Sequence, residues 1–151
     1  MNILTAARAA LVARLSEITP ANGYLTEGGT RVKTGWVNEV LEEHKEGFPL
    51  IVVQPAKGQP PKAGPGSVIL GKGFSVVGAV DVGLDYESAL DDMEIDLIRC
   101  LMPGHQRFPK WLPVGVNNIQ LGTPEPFPPG NGTAVGTVLI PVYLSTVIEG
   151  I

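Results

Sequence analysis

Near the start of the chain, apolar side chains recur as Leu4, Ala7, Leu11, Leu15 and Ile18, at spacings of three and four. That period places them on one stripe of an α-helix, predicted to begin near Asn2 and to end before Pro20. Arg8 and Arg14 flank the stripe. The turn-rich segment Thr19 to Gly29 follows, and Thr30 to Lys33 reads as a short strand. Trp36 to His44 is ambiguous between helix and extended chain, because Val37, Val40 and Leu41 have helical spacing over a short length. Phe48 to Gln54 is a compact β-branched run, predicted to be a buried strand with Pro49 at its start, where a missing donor does least harm.

Ala56 to Ser67 has the composition of an exposed, mobile loop without secondary structure of its own. From Val68 to Val82 the apolar positions alternate as Val68, Leu70, Phe74, Val76, Val80 and Val82, interrupted at Gly71-Lys72-Gly73. This pattern fits one kinked strand or a hairpin. Asp85 stands where it can cap a second helix running to Met102, with Leu90, Met93, Leu97 and Leu101 as its stripe and Pro103-Gly104 as its stop. The polar face of that helix is acidic, with Asp91, Asp92 and Asp96, yet Ile95 projects from it and Ile98 borders it. A basic, aromatic loop from His105 to Pro113 leads to a strand at Val114 to Leu121. The Pro/Gly loop Thr123 to Thr133 then leads to a final strand whose inward set is Val138, Ile140, Val142, Leu144 and Ile148. The elements predict an α+β domain with a mainly antiparallel or mixed sheet of about five strands and two helices packed on one face. No internal repeat is visible.

A chain of 151 residues fits one domain, since folding at this size buries about two-thirds of the unfolded surface around a single core. Apolar residues make up 44% and charged residues 17%, which excludes a disordered chain. The formal charge of −4 repels polyanions, so extended nucleic-acid binding would need a local basic patch, and sequence-specific binding is not expected. Cys100 is the one cysteine, which rules out an intramolecular disulfide and a multi-cysteine metal site. No apolar run approaches the roughly 20 residues that cross a bilayer, so no membrane insertion is expected. The first residues carry Arg8 and Arg14 and no acid before Glu17, a pattern shared with transit peptides, whereas the arginines interrupt what a secretory signal would need.

Candidate chemistry is sparse. Gly64 to Gly73 lacks the Gly-Lys-Ser/Thr ending of a phosphate loop and precedes a strand rather than a helix. His44 and His105 have no metal-ligand spacing and read as solvated. Cys100, within a predicted helix, reads as a small buried side chain. The carboxylate pairs Glu87 with Asp91 and Asp92 with Asp96 lie one helical turn apart and read as a solvated face before they read as general acid/base groups. The loop His105 to Trp111 interleaves Arg107 and Lys110 with Phe108 and Trp111, a combination that suits base stacking, a protein interface or plain packing. Trp36 reads first as core. No nucleophile, base and orienting group share a motif, so neither catalysis nor a cofactor or metal is expected.

Taken in order, these pieces resemble the tail terminator proteins of long-tailed bacteriophages, the group typified by the minor tail protein U of lambda-like phages. The resemblance lies in a helix like Ala9 to Ile18, a turn like Ala21-Asn22-Gly23-Tyr24 followed by Thr26-Glu27-Gly28, and a short strand around Val32. It continues through Phe48-Pro49-Leu50-Ile51-Val52, a strand before an acidic helix, and a terminal hairpin ending near Tyr143. It covers nearly the whole chain, departing in the Ala56 to Ser67 loop and the Pro-rich hairpin. The family resemblance implies a structural virion protein, assembled in the host cytoplasm and placed at the head-proximal end of the tail. Its expected partners are further copies of itself in a hexameric ring, the tail tube protein, and a head-completion or neck protein. A different neck or head-completion protein is the alternative, followed by a small-ligand binder or an enzyme. Candidate contact residues are Arg8 and Arg14 on the first helix, Lys57 and Lys62 in the loop, Asp91, Asp92, Ile95 and Asp96 on the acidic helix, and Arg107 and Trp111. In a head-to-tail ring, the acidic helix with its apolar centre at Ile95 would meet the basic first helix of the next subunit.

Overall fold

The computed structural model describes residues 1–44, 47–81, 83, 85–104, 108–129 and 135–150. Arg107, His105, Val82 and the end of the predicted Pro/Gly loop lie outside the described residues. The first helix, α1 (Ile3–Leu15), starts where the Asn2 side chain accepts a hydrogen bond from the Thr5 N–H at 2.8 Å. That bond satisfies one of the donors an opening turn leaves unpaired. Ser16 ends it, its hydroxyl donating to the Val12 carbonyl at 2.8 Å. Strand β1 (Val32–Thr34) and helix α2 (Val37–Glu43) come next, which resolves the ambiguous segment as helix between an extended Trp36 and an extended His44. The first N–H of α2, on Val37, donates to the Gln54 side chain at 2.9 Å.

Strands β2 (Leu50–Ala56), β3 (Lys62–Gly64) and β4 (Ser67–Asp81) lead to helix α3 (Tyr86–Leu101). Strands β5 (Val116–Leu121), β6 (Glu125–Phe127) and β7 (Val135–Glu149) complete the chain. The architecture is α+β, with a mixed sheet of seven strands and, among the described residues, three α-helices. The sheet runs β1-β2-β4-β7-β5, with β3 beside β4 and β6 beside β7. Its spine is the antiparallel pair β4–β7, each strand 15 residues long and in unbroken register from Ser67 opposite Glu149 to Asp81 opposite Val135. At about 3.4 Å per residue the spine is roughly 50 Å long. Among the described residues only β1 and β2 pair in parallel, through the β1-α2-β2 crossover.

The main core joins Ala7, Leu11, Leu15 and Ile18 of the α1 region and Met93, Leu97 and Leu101 of α3 to one face of the sheet, at Ile51, Val53, Phe74, Val76, Val80 and the alternate β7 residues Val138 to Leu144. A smaller core on the opposite face consists of Leu50, Val52, Val77 and Ala79, with Val37, Val40 and Leu41 of α2 packed on it. α3 lies so close to the sheet that a Cβ on Gly78 would fall on the Met93 side chain, so only glycine lets the helix seat there.

Several expectations are corrected. The helices do not share one face, because β2 and β4 are apolar on both sides and a second layer is needed to cover Leu50 and Val77. Gly71-Lys72-Gly73 does not break β4, since every residue there is paired to β7. Ala56 to Ser67 is a hairpin arm rather than an unstructured loop: the Gln59 N–H donates to the Gly71 carbonyl at 2.9 Å, and β3 then pairs with the start of β4. Its turn places Pro65 before Gly66 at φ 69°, the type II pattern that favours these two residues. Glu125–Phe127, expected as loop, is paired to β7. Asp85 precedes α3 without a side-chain capping bond. Ile148, assigned to the inward set of β7, is 36% exposed, and the buried residue in that phase is Thr146, whose hydroxyl donates to the Leu70 carbonyl at 2.8 Å.

Candidate assembly surfaces

α3 presents its expected acidic side only in part. Asp91 is exposed, Asp92 is half-buried and Ile95 is 46% exposed, in keeping with their placement outside the core stripe. Asp96 is fully buried, which overturns its reading as part of a solvated or intermolecular acidic face. Its carboxylate accepts the Leu25 N–H at 2.9 and 3.1 Å and the Thr26 N–H at 2.7 Å. A buried anion is tolerated only with such donors, and here they clamp the turn after α1 onto α3. The clamp holds the backbone of Leu25, whose side chain is 53% exposed, against α3 at Asp96.

Arg14 is likewise drawn inward. Its Nε donates to the Cys100 carbonyl at 2.8 Å, and its guanidinium pairs with Glu17 at 2.8 Å. The Cys100 carbonyl belongs to the last turn of α3, where carbonyls lack helical partners and a cation meets the negative end of the helix dipole. The Cys100 thiol returns a bond to the Arg14 carbonyl at 3.2 Å. Arg14 therefore joins α1 to α3 within one chain. Burial pushes the Cys100 thiol up to about 11, despite the Tyr24 hydroxyl and Arg14 nearby, which favour the thiolate. Burial also raises the Tyr24 hydroxyl to about 12, with the neighbouring Cys100 adding to it. Arg99 lies over the Tyr24 ring, 5.7 Å from its centre. Arg8 is half-buried on α1 and makes no hydrogen bond or ion pair among the described residues.

Trp111 packs against the main core, and its indole N–H is buried without a partner among the described residues. Trp36, expected in the core, is 54% exposed. Phe108 and Val114 are 64% and 98% exposed. The basic, aromatic loop thus separates into a core tryptophan and an outward phenylalanine, while Arg107 lies outside the described residues. His44, expected to be solvated, is half-buried edge-on to Phe48.

Lys57 and Lys62 are exposed on the arm. There the β4–β7 spine continues past both cores: Val68, Ile69, Leu70, Val147 and Ile148 belong to neither. Ile69, on one face, is 41% exposed, and Ile148, on the other, is 36% exposed. Sequence periodicity gave no warning of Asp96 or Arg14, and their signals exist only as partners distant in the chain. Among the described residues no group of three or more His, Cys, Asp or Glu is placed to hold a metal ion, and no helix is long and apolar enough to cross a membrane.

Fold and surface together define an α+β mixed-sheet domain in which Asp96, Arg14 and Cys100 are held in structural bonds and apolar side chains lie on the part of the β4–β7 spine beyond both cores. Comparison with protein-family models and with curated protein sequences gives no match.

Proposed function

We propose that this chain is a structural, non-catalytic subunit of a long-tailed phage virion, of the tail terminator kind. Copies assemble into a closed ring that ends growth of the tail tube and meets the head-completion proteins. The observation that carries the reading is the projecting end of β4–β7, whose apolar side chains on both faces have no core of their own. Apolar side chains gathered outside a core are a feature of interaction surfaces. Support also comes from the succession of helix, turn, short strand, buried strand, acidic helix and terminal strands that underlies the resemblance. In a ring of heterologous contacts, one surface of each subunit covers a different surface of its neighbour, and the free end of a polymer is blocked when such a ring occupies it.

Negative-stain microscopy of the concentrated protein tests the ring, and addition to polymerising tail tubes tests the termination. Closed rings and tubes arrested at the end that binds the protein are the expected results. A chain that stays monomeric and leaves tube growth unchanged refutes the reading, while rings that bind only head connectors favour a neck protein. Ile95→Asp separates surface from core in the same assay. Because Ile95 lies outside both cores, the variant is expected to fold with wild-type stability and to lose ring formation if α3 is buried between subunits. Unchanged assembly removes α3 from the contact.

A further inference from the structure

β1 ends the sheet, and nothing among the described residues pairs with its outer side. The Arg31 carbonyl accepts the Ile51 N–H at 2.9 Å, and the Gly35 N–H donates to the Val53 carbonyl at 3.1 Å. In a parallel ladder alternate residues turn to the same neighbour, so Arg31, Lys33 and Gly35 face β2. The N–H and C=O groups of Val32 and Thr34 therefore face outward. They open into a groove of about 660 Å³ lined by Val12 of α1, by Val32, Lys33 and Thr34 of β1, and by Val40, Glu43 and His44 beside α2. α1 lies on one face of the sheet and α2 on the other, so the groove is a slot with a strand edge as its floor and a helix on each side. Such a slot accepts one further extended segment in the plane of the sheet, bound through its backbone.

The same chain carries a segment of that description. Among the described residues β3 (Lys62–Gly64) pairs with β4 on one side only, and nothing pairs with its other edge. It projects with Lys57 and Lys62 exposed, and residues 56–66 contain no acid. At the slot, Glu43 lines the wall, and Glu39 lies one helical turn earlier, exposed at the same side of α2. Charge also separates β3 from the other free edges, since β5 and β6 have no basic residue and carry Glu125. We infer that β3 of one copy pairs with β1 of a second copy, between its α1 and α2, with Lys57 and Lys62 meeting Glu39 and Glu43. The contact is heterologous, as a ring requires. It deepens the assembly reading and rests on it.

Two kinds of variant test it by sedimentation velocity on the full chain. Thr34→Pro removes an outward N–H and leaves the bonds from Lys33 and Gly35 to β2 in place, a substitution that edge strands tolerate. It should weaken self-association by at least about tenfold with the monomer still folded by circular dichroism. Lys62→Glu and Glu43→Lys should each weaken association, and mixing the two proteins should restore it, because each then offers the other a complementary surface. The mixing result stands even if Thr34→Pro fails to fold. Wild-type assembly in Thr34→Pro and both charge variants overturns the strand pairing and leaves the ring reading standing. Weakening by Thr34→Pro without rescue in the mixture overturns β3 as the occupant and points to a segment of another protein. A wild type that remains monomeric at every concentration overturns this inference and the ring reading together.

Discussion

Replacing Asp96 gives the sharpest test of how the turn after α1 is held. The carboxylate is fully buried and accepts the backbone N–H groups of Leu25 and Thr26. A hydrogen bond to a charged group contributes about 1.5–3 kcal/mol net, and a partner left without an acceptor adds its desolvation cost. Because both N–H groups belong to a half-exposed turn, water can recover part of the loss in Asp96→Ala. The expected cost is therefore about 3 kcal/mol, near one bond's upper value rather than the sum of two. Asp96→Asn keeps the shape and one acceptor oxygen but turns an N–H₂ toward an N–H, so its cost is expected at about 2 kcal/mol. For a chain of this size these losses correspond to a fall in Tm of roughly 4–12 °C. Urea denaturation followed by circular dichroism reads the difference, with the slope m unchanged. Asp91→Ala, exposed on α3, serves as the control and should stay within about 0.5 kcal/mol. If Asp96→Ala matches the control in stability, the carboxylate does not hold the turn. A variant that folds normally but fails to assemble would show that the turn held by Asp96, with its exposed Leu25, belongs to the subunit contact.

Gly78→Ala should destabilise by about 1–3 kcal/mol, because the new Cβ falls on Met93 and α3 must lift from the sheet. Adding Met93→Ala should recover part of that loss, and strictly additive effects in the double-mutant cycle refute the close approach. Alkaline pH should weaken the fold. The Cys100 thiol rises from 9.0 to about 11 and the Tyr24 hydroxyl from 10.0 to about 12 in the native state. The unfolded chain therefore loses these protons first. The stabilisation is complete below about pH 9, and it is lost across about 9–11 for Cys100 and 10–12 for Tyr24. Urea midpoints measured across that range should fall, and Cys100→Ala should flatten the first part of the decline. Native Cys100 should also resist thiol reagents near neutral pH, and reaction at the unfolded rate contradicts its burial.

Regular elements with one apolar side were legible from residue order alone. Ala7, Leu11, Leu15 and Ile18 of the first stripe, the run Leu50 to Val53, Met93, Leu97 and Leu101 of the second, and the alternation Val138 to Leu144 reach the core, since burial of one side imposes the period of the element on the sequence. Leu4 does not, and Leu90 only packs against it. Tertiary structure alone decided what depends on residues distant in the chain. Nothing near Asp96 indicates that it faces Leu25 and Thr26, and nothing near Arg14 indicates the end of α3, because hydrogen bonding depends on position in space and leaves no period behind. The placement of α2 on the second face is of the same kind: a continuous apolar run marks a strand buried on both sides but does not say which element covers each. Pairing also decided that Ala56 to Ser67 forms an arm. Its Gly and Pro content marks a turn, and only the neighbouring edge of β4 supplies the backbone partners that make Lys62–Gly64 a strand.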